Sequence, residues 1–287
     1  MKNKVAVITG ASRGIGRNTA VHLSRQGTKV ILLARNKDNL ASVVDEIQND
    51  GGEAALRQVD VIDAASVTKA FQGIDGIFGP VDVLINNAGS FETIGPVWEV
   101  DAGKWWHDFT VNVRGAFLCS KAVLPSMRKR NEGYIIHIVG GGTKGAFPFG
   151  SAYGSSKTAL ARLAETMAAE LRDTGIRVFA IDPGLNDTDM TKYQRETELG
   201  KKYLPDMAGL FKQGVDESPE TAPQLMAQII SGDFDRLSGR IFSVHDNLDT
   251  ILLNLDDILD RDLYTLRSNE LPDALRKTPV NPSLAAG

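Results

Sequence analysis

Short apolar runs alternate with longer amphipathic stretches along most of this chain, and that alternation limits its fold more than any other feature. Residues 5–9, 29–34, 54–60, 81–86, 134–139, 177–182 and 240–245 read as strands. Between them, helical periodicity predicts helices over 14–26, 37–49, 64–78, 102–130, 151–173 and 219–230. Near-continuous Val/Ile/Leu strands separated by helices are what a parallel sheet covered on both faces requires. Right-handed crossovers then give an α/β fold, a doubly wound Rossmann-type sheet of about seven strands with its ligand crevice at their carboxyl ends. No composition break divides residues 1–246, so one domain is expected there. Residues 247–287 form a C-terminal extension, expected to pack at an interface or to cap the active site. The polar, Lys- and Glu-rich stretch 188–213 follows a strand end, where a lid over a substrate would sit. A solvated surface helix is the alternative.

Composition excludes several partners. A formal charge of −4 with 42% hydrophobic and 24% charged residues is ordinary for a globular protein. No basic field argues for nucleic acid and no polybasic stripe for a membrane. The apolar run after Lys4 is too short for a signal-peptide core or a membrane span, so a cytoplasmic location is expected. Cys119 is the only cysteine, which rules out internal disulfides, and its setting suits a buried small hydrophobe. Histidines 22, 107, 137 and 245 show no ligand spacing, so no metal is expected.

Two segments carry chemistry. Thr9-Gly10-Ala11-Ser12-Arg13-Gly14-Ile15-Gly16 follows a strand and opens a helix. Glycine at 10, 14 and 16 permits a tight turn, lets backbone amides approach a pyrophosphate and lets the helix pack close to the sheet. The helix N-terminus then meets the phosphates with its positive dipole end. The second strand ends in Arg35, where an enzyme holding NAD by its ribose hydroxyls places an acid. Arg13 and Arg35 together favour the 2′-phosphate of NADP(H) over a bare ribose, unless they are only solvent-facing arginines. Asp60-Val61, Asn87-Ala88-Gly89 and Pro183-Gly184 with Thr188 also lie at strand carboxyl ends, within reach of a dinucleotide. Downstream stands Tyr153 with Lys157 four residues on, hence on the same helix face.

These residues resemble the short-chain dehydrogenase/reductase superfamily in its soluble single-domain branch. Thr9–Gly16 is similar to its Thr-Gly-x-x-x-Gly-x-Gly loop, 86–89 to its Asn-Asn-Ala-Gly, and Tyr153/Lys157 to its Tyr-x-x-x-Lys. Asn112 matches its active-site asparagine, and Pro183-Gly184 with Thr188 its Pro-Gly segment. The Gly140–Thr143 loop, His245-Asp246-Asn247 and Tyr264–Arg267 resemble members described as 3-oxoacyl-carrier-protein-reductase-like. The resemblance implies an NADP(H)-dependent oxidoreductase interconverting a carbonyl and a secondary alcohol on a small molecule, as a homodimer or homotetramer. Tyr153 would be the acid/base, its pKa of about 10 lowered by the Lys157 ammonium. Lys157 would also bind the nicotinamide ribose, and Asn112 would hold a water linking Lys157 to solvent. The paired long helices over 102–130 and 151–173 would meet a second subunit, with Trp105 and Trp106 where such a contact falls, core packing being an equal account of one of them.

The chain departs from the family at one position. The serine that the family carries thirteen residues before the tyrosine is Gly140 here. Losing one oriented donor of this kind removes roughly 2.7–4 kcal/mol of transition-state stabilisation. Three readings follow. Thr143 folds into the missing place, the backbone N–H of Gly141 or Gly142 or a water serves instead, or the chain binds cofactor with weak or no turnover.

Overall fold

The computed structural model describes residues 2–268; the last part of the extension, 269–287, lies outside the described residues. Seven parallel strands form one sheet: β1 (Val5–Thr9), β2 (Lys29–Ala34), β3 (Ala54–Gln58), β4 (Val83–Asn86), β5 (Gly133–Ile138), β6 (Ile176–Asp182) and β7 (Ile241–Ser243). Their order is β3-β2-β1-β4-β5-β6-β7, so the winding reverses between β1 and β4. That switch point opens a crevice above the carboxyl ends of those two strands.

The helices are α1 (Gly14–Arg25), α2 (Lys37–Asn49), α3 (Ala64–Phe71), α4 (Asp75–Phe78), α5 (Ala102–Phe109), α6 (Gly115–Arg130), α7 (Ser151–Glu170), α8 (Asp189–Glu196), α9 (Glu198–Tyr203), α10 (Asp206–Lys212), α11 (Thr221–Ile229), α12 (Leu248–Leu253) and α13 (Leu255–Asp260). The pleat explains why the central strands β1, β2 and β4 are apolar on both faces. Ala6, Ile8, Val30 and Leu32 point to one core with α1, α2 and α11. Val5, Val7, Ile31 and Leu33 point to the other with α3, α6 and α7. Cys119 is fully buried in that second core, and burial pushes its thiol up to about 12.

Three elements differ from the periodicity. The helix expected over 64–78 breaks after Phe71, where Gly73 turns with φ 67°. The helix expected over 102–130 is interrupted by a π-helical turn, Thr110–Arg114, which buries Asn112. The stretch 188–213 is three short helices, α8 to α10, in place of one.

The described part of the extension, residues 247–268, is docked. Leu248, Ile251, Leu252, Leu255, Ile258 and Leu259 pack on the α1/α2/α11 core. Tyr264 O accepts the Ile241 N–H (2.9 Å), so the tail covers the edge strand β7. Among the described residues no helix is long and apolar enough to cross a membrane.

Candidate active site

The crevice between β1 and β4 is built by a latch. Thr9 Oγ1 accepts from Asn87 N and Ala88 N (3.0 Å each), while Asn87 Nδ2 donates to Thr9 O (2.9 Å) and Gly10 O (3.2 Å). Glycine is obligatory around it. A Cβ on Gly16 would lie 2.4 Å from Asn87 Nδ2 and 2.5 Å from Gly10 O. A Cβ on Gly10, whose φ is 65°, would meet Ala88 Cα at 2.9 Å. Thr9, Gly10, Gly16, Asn87 and Ala88 therefore hold the floor on which Ser12, Gly14, Ile15 and the exposed Gly89 sit.

Helix α1 opens at Gly14 without a side-chain cap, whereas α2, α3, α5 and α8 are capped by Asn36, Asp63, Asp101 and Thr188. Its first-turn amides carry no side-chain cap, as is also true of α7 and α11. Arg35 is exposed at the end of β2 and makes no ion pair with any described residue. Arg13 reaches the other way, to Asp189 at the start of α8 (2.5 Å). Asp60 Oδ1 accepts from Ile62 N (3.2 Å), so that carboxylate also serves its own turn, and Val61 follows it beside Gly115. The Pro183-Gly184 turn, with Gly184 at φ 68°, is held by Asn186 Nδ2 donating to Pro183 O (2.7 Å). Thr188 then caps α8, its Oγ1 accepting from Thr191 N (3.3 Å).

The Tyr153/Lys157 pair opens α7. Lys157 is buried, donates to Ile138 O (2.8 Å) and lies 5.3 Å from the centre of the Tyr153 ring. Burial pulls its ammonium down from the ordinary 10.5 to about 8, against the opposing pull of the Asp182 carboxylate. Burial, and then Asp182, push the Tyr153 phenol above its ordinary value.

Asn112 has its side chain fully engaged. Its Nδ2 donates to Ser90 O (2.9 Å) and Ser156 Oγ (2.8 Å), and its Oδ1 accepts from Ser90 N (2.8 Å). Thr143 is likewise committed: its hydroxyl donates to Gly140 O (2.6 Å) and closes the turn after β5. Gly142, at φ 91°, lies so close to α7 that a Cβ would come within 2.4 Å of Gly154 Cα. The triple glycine thus serves close packing as well as freedom. From the far side, the Met190 methyl lies 3.7 Å from where a Cβ on Gly89 would stand, and Lys157 Nζ lies 3.6 Å from the same point. The segment 188–213 therefore reaches the crevice.

The sequence model of the family described as short chain dehydrogenase matches residues 4–199. The chain belongs to the short-chain dehydrogenase family. It is similar to a short chain dehydrogenase of Pseudocercospora fijiensis, 36% identical over 192 residues, 66% of this chain and 62% of that relative. An uncharacterized oxidoreductase of Bacillus subtilis is 36% identical over 206 residues, covering 71% of this chain and 75% of the relative. Among solved structures, NAD+-bound xylitol dehydrogenase superposes with a TM-score of 0.78 at 30% identity, covering 84% of this chain and 97% of the other. A variant of actinorhodin polyketide ketoreductase with NADPH gives a TM-score of 0.75 at 27% identity, covering 84% and 95%. As a short-chain dehydrogenase the protein is a nicotinamide-dependent oxidoreductase acting on CH–OH groups.

Several residues of this short-chain dehydrogenase were not marked by any motif. Asp182 ends β6 beside the Tyr153/Lys157 pair, yet in the sequence it is only the last letter of a strand. Asp108 is fully buried and accepts from Ser90 Oγ (2.5 Å), Glu92 N (3.0 Å) and Thr93 N (2.8 Å). Phe91 and Phe147 flank Tyr153, with ring centres 4.5 Å and 6.2 Å away. Aromatic residues in loops gave no periodic signal by which to find them.

Proposed function

We propose that the protein is an NADP(H)-dependent reductase that converts a small-molecule ketone to a secondary alcohol, with Tyr153 as the general acid. The observation that carries this reading is the Tyr153 phenol beside the buried Lys157, its Nζ 5.3 Å from the ring centre, at a crevice shaped by Gly10 and Gly16. The residues fit a dinucleotide. Gly10 and Gly16 shape the floor, the amides of Gly14–Gly16 face the phosphates, and Gly89, Pro183, Gly184 and Thr188 border the nicotinamide end. The unpaired Arg35 meets the 2′-phosphate, joined by Arg13 once it leaves Asp189.

When bound, the reduced nicotinamide supplies the hydride that reaches the carbonyl carbon. Tyr153 gives its phenolic proton to the carbonyl oxygen, so hydride and proton together complete the alcohol. The phenolate left behind is stabilised by the Lys157 ammonium, and a proton from solvent restores the phenol. Lys157 retains N–H donors beyond the one given to Ile138 O, and these are available to ribose hydroxyls. With Thr143 committed to its turn, the backbone N–H of Gly141 or a water takes the place of the missing serine donor.

Residues 1–246 act as the catalytic unit, and the described part of the extension, 247–268, docks along β7. A second copy of the chain packs on α5, α6 and α7, where Trp106 and Phe117 are exposed beside Leu163 on a groove of about 750 Å³. Trp105 turns inward instead, donating to Ser151 Oγ (3.0 Å).

NADPH and NADH titrations, followed by turnover of a ketone panel by the wild type and Tyr153→Phe, test this reading. It expects tighter NADPH binding, weakened by Arg35→Ala, and turnover lost in Tyr153→Phe with cofactor binding kept. Equal affinity for the two cofactors would remove the role of Arg35. Binding without transfer to any ketone would leave a cofactor-binding protein.

A further inference from the structure

We infer that Gly140 and Phe91 are the positioning residues of the reacting phenol: the missing side chain at 140 makes the seat, and the Phe91 ring presses Tyr153 into it. The inference rests on the reading of Tyr153 as the general acid. A Cβ built on Gly140 would stand 2.8 Å from Tyr153 Oη, closer than carbon and oxygen tolerate. The phenol oxygen therefore occupies space that any side chain at 140 would claim. On the other side, Phe91 stacks on Tyr153 with ring centres 4.5 Å apart and planes 15° from parallel. Phe147 closes the cage, tilted against both rings at 5.6 Å and 6.2 Å.

The cage is anchored. Ser90 is pinned to Asn112 through both its backbone groups and to Asp108 through its hydroxyl. Glu92 N and Thr93 N donate to the same Asp108 carboxylate. Phe91 sits between these anchors and is itself buried. Asn112 also holds Ser156, whose Oγ donates to Tyr153 O (2.7 Å). The ring that presses on Tyr153 and the helical turn that carries Tyr153 are thus tied to one side chain. Phe147 owes its place to Gly150 and Gly154, where a Cβ would lie 2.5 Å and 2.9 Å from its atoms.

This arrangement reverses the obvious repair. Restoring a serine at 140 adds a donor, but its Cβ must first displace the phenol. The end of a side chain yields easily, so the fold survives while the reacting oxygen moves. Easing the 2.8 Å contact to about 3.4 Å moves the reacting oxygen by about 0.6 Å, and since about 1 Å costs about 100-fold, a loss of about tenfold follows.

The test measures kcat, ketone KM, reduced-cofactor Kd and melting temperature for Gly140→Ala, Gly140→Ser, Phe91→Leu, Phe91→Tyr and Tyr153→Phe. The ketone is the member of an acetophenone, ethyl 3-oxobutanoate and cyclohexanone panel that wild type reduces fastest. Gly140→Ala and Gly140→Ser are both expected to lose kcat about tenfold with cofactor Kd within about threefold. Phe91→Leu is expected to lose about tenfold, and Phe91→Tyr, which keeps the ring but adds a hydroxyl at the Cζ packed near Gly150, to lose less than Phe91→Leu. Because both sites act on one ring, Gly140→Ala combined with Phe91→Leu should lose much less than the product of the single losses. Gly140 has φ 159°, so if its variants melt too low to assay, the Phe91 pair decides. Gly140→Ser at or above wild-type turnover, or Phe91→Leu with unchanged kcat, overturns the inference while Tyr153→Phe remains inactive. Full turnover by Tyr153→Phe, or no transfer to any panel ketone, overturns the acid assignment and this inference with it.

Discussion

Replacing Lys157 by methionine should make the cofactor-free protein more stable while abolishing turnover. The side chain is 3% exposed, and its ammonium titrates at about 8 against an ordinary 10.5. Holding that charge out of water at pH 7 costs roughly 3 kcal/mol on this difference. Removing it also loses the bond to Ile138 O, which returns about 1 kcal/mol. A gain of about 2 kcal/mol is expected at pH 7. The sign of the pH dependence follows from linkage. Between 8 and 10.5 the unfolded chain binds more protons at this site than the folded one, so wild-type stability rises with pH across that window. Below 8 the penalty is complete, and above 10.5 it is gone. Urea denaturation of wild type and Lys157→Met at steps from pH 7 to 10.5 measures this directly, with single-turnover reduction run in parallel. A variant less stable than wild type at pH 7, or a stability difference that does not shrink as pH rises, would refute the burial argument.

Gly16→Ala places a Cβ within 2.5 Å of two latch atoms, so cofactor affinity should fall at least about tenfold and stability by about 2–4 kcal/mol. Calorimetric titration and urea melts check both, and unaltered binding would show that the latch does not shape the crevice. His137 is fully buried and held down to about 3 from 6.5, chiefly by burial and then by Lys157. Its depressed value gives stability that is present above pH 6.5 and lost as pH falls toward 3. His137→Leu should flatten that decline, whereas parallel decay of variant and wild type would remove His137 as its source. Asp189→Asn frees Arg13 from an exposed pair of a kind worth about 0–1 kcal/mol. NADPH should bind up to about fivefold tighter at low salt, with NADH unchanged and the gain gone in about 1 M salt. An unchanged NADPH/NADH ratio would leave Arg13 outside cofactor selection.

The sheet was legible because most strands carry near-continuous apolar runs and the helices between them an apolar stripe. The boundaries that moved did so for local reasons. Gly73 ends α3 early, and the π-helical turn around Asn112 has no signature in a periodicity count. The phosphate-facing loop was legible because its glycines are demanded by backbone approach. Their partner Asn87 was placed against the cofactor, while the structure has its side chain bracing Thr9 and Gly10. Asp182 and Asp108 went unread because nothing local distinguishes a carboxylate at a strand end from one buried under a loop. The tuning of Lys157 and Tyr153 depends on burial and on Asp182, which become neighbours only once β6 and α7 are packed.

Transfer of deuterium from NADPH deuterated at both C4 positions to a ketone tests the central claim most directly. In a single turnover with excess wild-type protein, the alcohol should carry deuterium on its carbinol carbon, and Tyr153→Phe should slow the transfer at least about 100-fold while still binding NADPH. Label appearing at the same rate in Tyr153→Phe, or no label in the alcohol formed by wild type, would contradict the account.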